Sequence, residues 1–492
     1  MPEIESPATG PLTWTAIPQP HEVELRHGSW APTTVSVIAS DARLRRERER
    51  FDDELRAYGA VTRPEPAAAD DECSRVELRL DHCSGFGPEG YAIEVGHDVV
   101  VRAQTPCGVF RATRQLMHNL RAHGRVPAAS VRAEPAVAER GLHIDAARKF
   151  YPARWLEQLI VNAADIGLTT LQWHFSENEG VRLESISHPA IVSPEYITRA
   201  EATHLIRVAN DHHIEIVPSL DMPGHLKHAL GRHPEFCLPG VDGALDITND
   251  AAVAFARELV DDYVQLFDES RVWNLGGDEF VDFDHMHDYP VLDDAAKKRF
   301  GATGTGFDLL TAFVNTIAAY LTDRDVIPRV WNDGMLRSRN VVLDERVQFA
   351  WWTNWSASMR PVQEAFDGGY DVVNVNDAMF YYVLGENAGY RYPTSKRLWE
   401  AEWHPGVFPM LHPSLTDRAQ IVTQPYPEQL VGASFAIWSD RPEAQTCDEV
   451  ALGIRSPLRA FAERSWNAGS ALTHSEFTAV DEGLPPVSYA RD

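Results

Sequence analysis

Val272-Trp273-Asn274-Leu275-Gly276-Gly277-Asp278-Glu279 joins a short apolar run of strand character to two glycines and two adjacent carboxyl groups. In a regular strand successive side chains point to opposite faces, so Asp278 and Glu279 could not share a pocket while the strand continued. They can share one if the strand ends at the glycines, where the backbone bends freely and no Cβ obstructs a ligand. Two carboxyls brought together repel, one pKa rises and one proton tends to be held, which suits acid–base chemistry. A solvated acidic turn would carry the same letters, so the surrounding chain has to decide.

Outward from this stretch, β-rich apolar runs alternate with amphipathic segments. The runs are Gly141–Asp145, Thr170–Phe175, Ile214–Ser219, Arg271–Leu275, Arg329–Asn332, Val347–Trp352, Tyr370–Val375 and Gly432–Trp438. Helical patterns separate them, notably Pro194–His212, Asn249–Phe267 and Phe307–Asp323, with Ser193-Pro194 and Asn249-Asp250 as start signals. The connection after the seventh run is a long insertion, Asp377 to about Gln424. Its Trp399, Glu400, Glu402, Trp403 and His404 are expected to overhang the barrel mouth or to serve a homo-oligomer contact. This alternation predicts an α/β fold, a (β/α)8 TIM barrel over residues 138–475. Residues 476–492 read as a C-terminal tail.

Residues 1–137 read differently, as a small α+β domain. Its clearest strands are Val35–Ala39, Arg75–Leu80, Tyr91–Val95 and Asp98–Ala103, and its helices are Asp41–Tyr58 and Gly108–Leu120. The run Arg45–Arg50 reads as a solvated helix face, and nothing in this domain has catalytic character.

A barrel carries its active groups at the C-terminal ends of its strands. In order, those ends hold Asp145 and Arg148; His174, Glu177 and Asn178; Asp221 and His225; Asp278 and Glu279; Trp331 and Asp333; Trp351, Trp352 and Trp355; Asn374, Asn376 and Asp377; and Trp438 and Asp440. Polar or aromatic groups at every end converge on one mouth. The chain contains 13 Trp, and ring faces at strand ends suit sugar stacking.

Composition narrows the partners. The net charge of −27 argues against nucleic acid and anionic membranes. Five scattered Cys without a C-x-x-C pair indicate neither a zinc site nor a disulfide framework. His212-His213 and His285-Met286-His287 read as solvated loop histidines, so neither metal nor cofactor is expected. Met1–Ser6 is acidic and lacks an apolar run, which gives the expectation of a cytoplasmic protein.

With these residues laid out, the chain resembles family 20 glycoside hydrolases, the β-N-acetylhexosaminidase family. The resemblance rests on Gly141–Arg148, Trp173–Gly180, Asp221-Met-Pro-Gly-His225, Gly276-Gly-Asp-Glu279 and Trp438-Ser-Asp440, in order, and covers about residues 30–470. It implies a retaining exo-glycosidase that releases terminal β-linked N-acetylhexosamine from an oligosaccharide or glycoconjugate. In that chemistry the substrate's 2-acetamido oxygen attacks the anomeric carbon and forms an oxazolinium. An internal nucleophile reaches effective molarities of about 10⁵–10⁸ M, so no enzyme carboxylate need attack.

Residue by residue, the resemblance implies that Glu279 is the general acid and Asp278 the carboxylate beside the acetamido nitrogen. His225 would support the acid through Glu177, where the family commonly has Asp. Arg148 would hold the terminal sugar's hydroxyls, and Trp331, Trp352 and Trp438 would wall the acetamido pocket. Tyr381 would bind the acetamido oxygen. Trp351 and Tyr382 are the neighbours that a single sequence leaves open for the last two kinds of role. Two departures concern the grip on the outer hydroxyls: Val383 stands where the family often has Asp, and the last strand ends Trp-x-Asp440 rather than Trp-x-Glu. Both suggest a roomier non-reducing end, resembling the lacto-N-biosidase branch, which releases a Gal-GlcNAc disaccharide. The spaced carboxylate motif of chitinases that also use acetamido assistance is absent. A non-catalytic carbohydrate-binding barrel is the rival of another class; it would have no need of the Asp278–Glu279 pair.

Overall fold

The computed structural model describes residues 12–63, 73–82, 85–415 and 419–487. Eight parallel strands pair in the order Glu139–Asp145, Thr170–Glu177, Glu215–Met222, Val272–Gly276, Ile327–Trp331, Gln348–Trp351, Val372–Asn374 and Leu430–Trp438. The eighth pairs back onto the first, with Gly432 opposite Glu139 and Ile437 opposite Ile144, so the sheet closes into a barrel. Each strand falls on one of the eight runs read from the sequence.

Strand alternation sorts the side chains. Leu142, Ile144, Leu171, Trp173 and Phe175 belong to one apolar core with Leu156, Leu159 and Ile160 of the first barrel helix, Ala153–Asp165. The alternate residues fill the barrel interior with polar pairs. Gln172 Nε2 lies 2.9 Å from His143 Nδ1, and His174 Nδ1 lies 3.1 Å from Ser219 Oγ. At the base, Arg329 donates to both Glu139 oxygens at 2.8 and 2.6 Å and to Gln348 Oε1 at 2.6 Å. Deleting one partner of such a buried pair typically costs about 3–5 kcal/mol, because a charge is left without compensation.

Helix starts follow capping chemistry. Asp250–Val264 begins at Asn249, whose side chain accepts the Ala251 N–H at 3.0 Å. The helix expected from Pro194 begins instead at Arg199, since the capping box of Thr198 and Glu201 outcompetes the Ser-Pro signal. After the last strand, Cys447–Trp466 covers the barrel and is followed by the helix His474–Gly483. The latter takes in residues 476–483 of the segment that reads as a tail, and it is fastened by an Arg459–Asp481 ion pair at 2.8 Å.

The insertion between the seventh and eighth strands only partly overhangs the mouth. Trp399 packs on Phe477 with ring centroids 4.6 Å apart, and Trp403 packs on Phe380 at 4.4 Å and on Phe461 at 5.8 Å. Trp403 is buried and Trp399 half-buried against the C-terminal helices, where apolar partners are available, rather than facing the mouth. Another part of the insertion runs as a short strand, Tyr381–Val383, beside the eighth barrel strand.

The N-terminal domain is a seven-stranded mixed sheet with two helices, Arg45–Tyr58 and Pro106–His123. Its outer strand Glu22–Trp30, paired with Val126–Ala133, is not evident from periodicity, because most of its residues face solvent. The domain is locked to the barrel. Arg111 donates to the carbonyls of Ala164 and Leu168, and His118 lies 3.0 Å from Asp165. Arg45, Arg46 and Glu49 are exposed as expected, but Glu47, Arg50 and His212-His213 correct the solvated reading. Glu47 is buried 2.9 Å from His213, and Arg50 contacts His212, so this helix face forms part of the domain interface. Burial and the Arg50 charge push His212 down to about 3. His285 and His287 are exposed, as expected. Among the described residues no helix is long and apolar enough to cross a membrane. The described cysteines Cys73, Cys107, Cys237 and Cys447 are free; Cys83 lies outside the described residues.

Candidate active site

The fourth strand ends at Gly276, and the backbone turns through positive φ at Gly276 (+79°), Gly277 (+87°) and Glu279 (+41°). A Cβ on Gly276 would lie 2.6 Å from Asp221 Oδ1, so this strand end can pass the third only as glycine. The glycine of Asp221-Met-Pro-Gly-His225 has a matching reason: a Cβ on Gly224 would lie 2.9 Å from the Asp278 carbonyl oxygen. The two motifs are therefore halves of one close crossing.

That crossing brings the two carboxyls to a single histidine. His225 Nε2 lies 3.5 Å from Asp278 Oδ2 and 3.5 Å from Glu279 Oε2, while its Nδ1 lies 2.7 Å from Glu177 Oε1. The longer side chain of Glu177 thus reaches His225 directly. Burial alone would lower the His225 pKa, but Glu177 and Asp278 hold it well above the ordinary histidine value. Burial lifts the Glu279 carboxyl, the His225 charge opposes that, and Asp278 adds to it, leaving Glu279 raised. Glu177 goes the other way: burial would raise it, but His225 and Arg148 bring it below its usual value. The Asp278 side chain is 10% exposed and that of Glu279 is 50% exposed, so only the latter opens widely toward solvent.

Arg148 sits at the end of the first strand with all three guanidinium nitrogens paired. Nη1 donates to Asp145 at 3.0 Å, Nη2 to Glu177 at 2.5 Å, and Nε faces Glu179 at 3.3 Å. Asp145 and Glu177 are buried whereas Glu179 is half exposed, so Glu179 is the partner an incoming hydroxyl can displace. Asp440, at the end of the eighth strand, accepts from Asn387 Nδ2 of the insertion at 3.1 Å.

Opposite the carboxyls stands an aromatic wall. Trp331, Trp352, Tyr381 and Trp438 form one cluster separate from the barrel–helix core. Trp352 stacks on Tyr381 with centroids 5.7 Å apart and planes within 4°. Trp331 and Trp438 lie 5.9 Å apart, and Tyr381 and Trp438 5.7 Å apart. The neighbours left open by the sequence face elsewhere. Trp351 packs on Phe349 and donates to Asn354, and Tyr382 stacks on Tyr392 and accepts from Gln445.

The structure adds two residues to the predicted set, Glu179 and Asp333. Asp333 is buried at the end of the fifth strand, accepts from the Glu279 backbone and from the Trp352 indole, and is pushed up to about 7 by burial, Asp278 and Glu279. Asp333 was legible as a polar residue at a strand end and Glu179 only as part of the Trp173–Gly180 stretch, but nothing in the sequence said what they would touch. Two groupings, His174–Glu177–Asp221 and Asp221–His225–Asp278, each bring ligand-type atoms within 4.8 Å of one another. Burial and the nearby Asp278 hold the shared member, Asp221, well above the ordinary carboxylate range.

A closed parallel barrel with paired carboxyls, an arginine and an aromatic wall in its mouth defines a carbohydrate-processing type of site. The family follows from comparison: the profile of the glycosyl hydrolase family 20 catalytic domain matches residues 138–469, and that of the family's domain 2 matches residues 14–132. The chain belongs to glycosyl hydrolase family 20. It is 28% identical to a lacto-N-biosidase of Bifidobacterium bifidum over 80% of this chain and 34% of that protein. It is 28% identical to a β-N-acetylhexosaminidase of Cellulomonas fimi over 46% of this chain and 53% of that protein. The chain thus spans a third to a half of the length of these relatives. The fold is that of the β-N-acetylhexosaminidase from Bacteroides fragilis, with a TM-score of 0.75, 20% identity and coverage of 95% and 94% of the two chains.

Proposed function

We propose that this protein is a retaining exo-glycosidase that hydrolyses terminal β-linked N-acetylhexosamine from oligosaccharides or glycoconjugates through an oxazolinium intermediate. One observation carries the reading. Asp278 and Glu279 both approach the same nitrogen of His225 at 3.5 Å, with Asp278 largely enclosed and the raised Glu279 open to solvent. Two carboxyls held by one imidazole supply an acid and an electrostatic partner, and the nucleophile is then the substrate's own acetamido oxygen.

In this reading Glu279, raised and open to solvent, protonates the glycosidic oxygen and then takes a proton from water. Asp278 orients the acetamido N–H and stabilises the positive charge of the oxazolinium. Tyr381 donates to the acetamido oxygen, inside a wall of Trp331, Trp352 and Trp438. His225 and Glu177 fix the acid, while Arg148 and Asp440 hold the outer hydroxyls.

Val383 and Asp440 support a second reading, release of a Gal-GlcNAc disaccharide, and the lacto-N-biosidase relative matched over 80% of the chain favours it too. The test is turnover of an aryl N-acetyl-β-glucosaminide and an aryl lacto-N-bioside. Cleavage of the first supports the main reading and a strong preference for the second supports the alternative. Sugar binding without turnover of either would point to a carbohydrate-binding barrel.

A further inference from the structure

Beside Glu279, on the side away from Arg148, lies a cavity of about 290 Å³ lined by Glu279, Asp282, Asp284, Asp333, Arg337 and Trp355. This volume is at the lower edge of the about 300–1,000 Å³ typical of small-molecule sites, enough for one ring. Trp355 is 46% exposed, unusual for so large an apolar side chain, and its ring meets Trp352 edge-on with centroids 4.6 Å apart. It thus extends the aromatic wall past the acid. Arg337 is 9% exposed, and its Nε is buried without a hydrogen-bond partner among the described residues. Its Nη1 reaches the Phe283 carbonyl at 3.5 Å and lies 3.9 Å from Asp284 Oδ1, which holds the guanidinium at the cavity wall. Burial lowers the Arg337 pKa, but the carboxyls of Asp333 and Asp284 oppose that. Asp284 accepts from Ser356 and Ser358 with Oδ1 alone, which leaves Oδ2 to accept from a hydroxyl.

From these features we infer that the cavity is the leaving-group subsite and takes a neutral sugar ring. This rests on the proposed glycosidase reading. An acid that protonates a glycosidic oxygen must have the departing residue on the far side of that oxygen. Glu279 lines the cavity, while Arg148 and the Trp331, Trp352, Tyr381 and Trp438 wall, which hold the transferred sugar in that reading, do not. An exposed indole supplies a stacking face, while one arginine and one carboxylate oxygen offer a donor and an acceptor for vicinal hydroxyls. Four carboxyls against one arginine disfavour an anionic leaving group. Trp355 is thus a specificity-determining residue.

The experiment compares two substrates with the same transferred sugar, a β-glycosyl fluoride, whose leaving group fills nothing, and a β-linked oligosaccharide with a hexose leaving group. N-acetylglucosaminyl and lacto-N-biosyl pairs are run in parallel. Trp355→Ala should lower the oligosaccharide-to-fluoride ratio of kcat/KM by about tenfold, the loss of one stacked ring. Trp355→Phe should restore most of that ratio, and Arg337→Met should lower it in the same direction. An unchanged ratio in Trp355→Ala, with the wild type active on both substrates, overturns this proposal alone. A wild type inactive on every fluoride and oligosaccharide overturns the glycosidase reading and the subsite with it.

Discussion

Asp333 Oδ2 accepts the backbone N–H of Glu279 at 3.1 Å. Its other oxygen accepts the Trp352 indole N–H at 3.1 Å, so one buried carboxyl ties the acid's strained backbone to the aromatic wall. Asp333 titrates at about 7 in the folded protein against an ordinary 3.8. The stability contributed by the bound proton is complete below the lower value and is lost as pH rises through the higher one. Asp333→Asn has no proton to lose. Its melting temperature should therefore fall less than that of the wild type between about pH 5 and about pH 8. Parallel melting curves against pH would show that Asp333 is not the titrating group.

Glu279→Gln should lower kcat for poor leaving groups by about 10²–10⁴-fold, the usual contribution of a positioned acid. Fluoride needs little protonation to depart, so the glycosyl fluoride should lose far less in the first step. Affinity for the product sugar should remain near the wild-type value. Calorimetry and steady-state kinetics separate these effects, and wild-type turnover in the variant would remove Glu279 from the chemistry.

Asp278 faces the opposite demand, since it must stay charged while the oxazolinium forms. Asp278→Asn should cut kcat by about 10²–10³-fold, the loss of one preorganised electrostatic partner. A thiazoline analogue of the intermediate should inhibit the wild type and lose affinity for the variant. No inhibition of the wild type at millimolar thiazoline would end the substrate-assisted mechanism.

Glu177 supports both His225 and Arg148 at 2.7 and 2.5 Å. Its charge helps hold His225 protonated, and the His225 charge in turn lowers the Glu279 pKa. Glu177→Gln also removes a smaller upward push on Glu279, so Glu279 stays protonated to higher pH once His225, now discharging at lower pH, has lost its charge. The alkaline limb of kcat/KM should move upward even as its maximum falls. A lower maximum with an unmoved limb would mean that Glu177 only holds geometry.

Much of this site was legible because a barrel gathers its strand ends. Arg148, Glu177, His225 and the Asp278–Glu279 pair sit at the ends of four successive runs, and closure of the sheet brings them together. Periodicity also separated the N-terminal domain from the barrel. What escaped depended on contacts made across the fold. Whether Trp351 or Trp352 faces the mouth is a matter of one residue of strand register. The burial of Trp399 and Trp403 depended on Phe461 and Phe477, which approach only when the C-terminal helices dock. The pairing of His212 and His213 with Arg50 and Glu47 spans more than 160 positions in sequence and had no local signal.

In the disaccharide reading, the length of the glycone pocket turns on Val383 and Asp440. Val383 is buried in the aromatic cluster, in register with Trp438, so an Asp there would project a carboxylate into the wall. Asp440 is drawn toward Asn387 of the insertion at 3.1 Å, one methylene shorter than the residue its family commonly carries. Together the two leave the outer sugar hydroxyls with fewer acceptors and more room. The double variant Val383→Asp, Asp440→Glu should shift the ratio of kcat/KM for aryl N-acetylglucosaminide over aryl lacto-N-bioside toward the monosaccharide by at least about tenfold. Acceptors placed for a terminal hydroxyl are left unpaired, or are blocked, when that hydroxyl carries galactose. If the ratio does not move while the variant stays folded and active, these positions do not set the pocket's length, and the disaccharide reading loses its structural support.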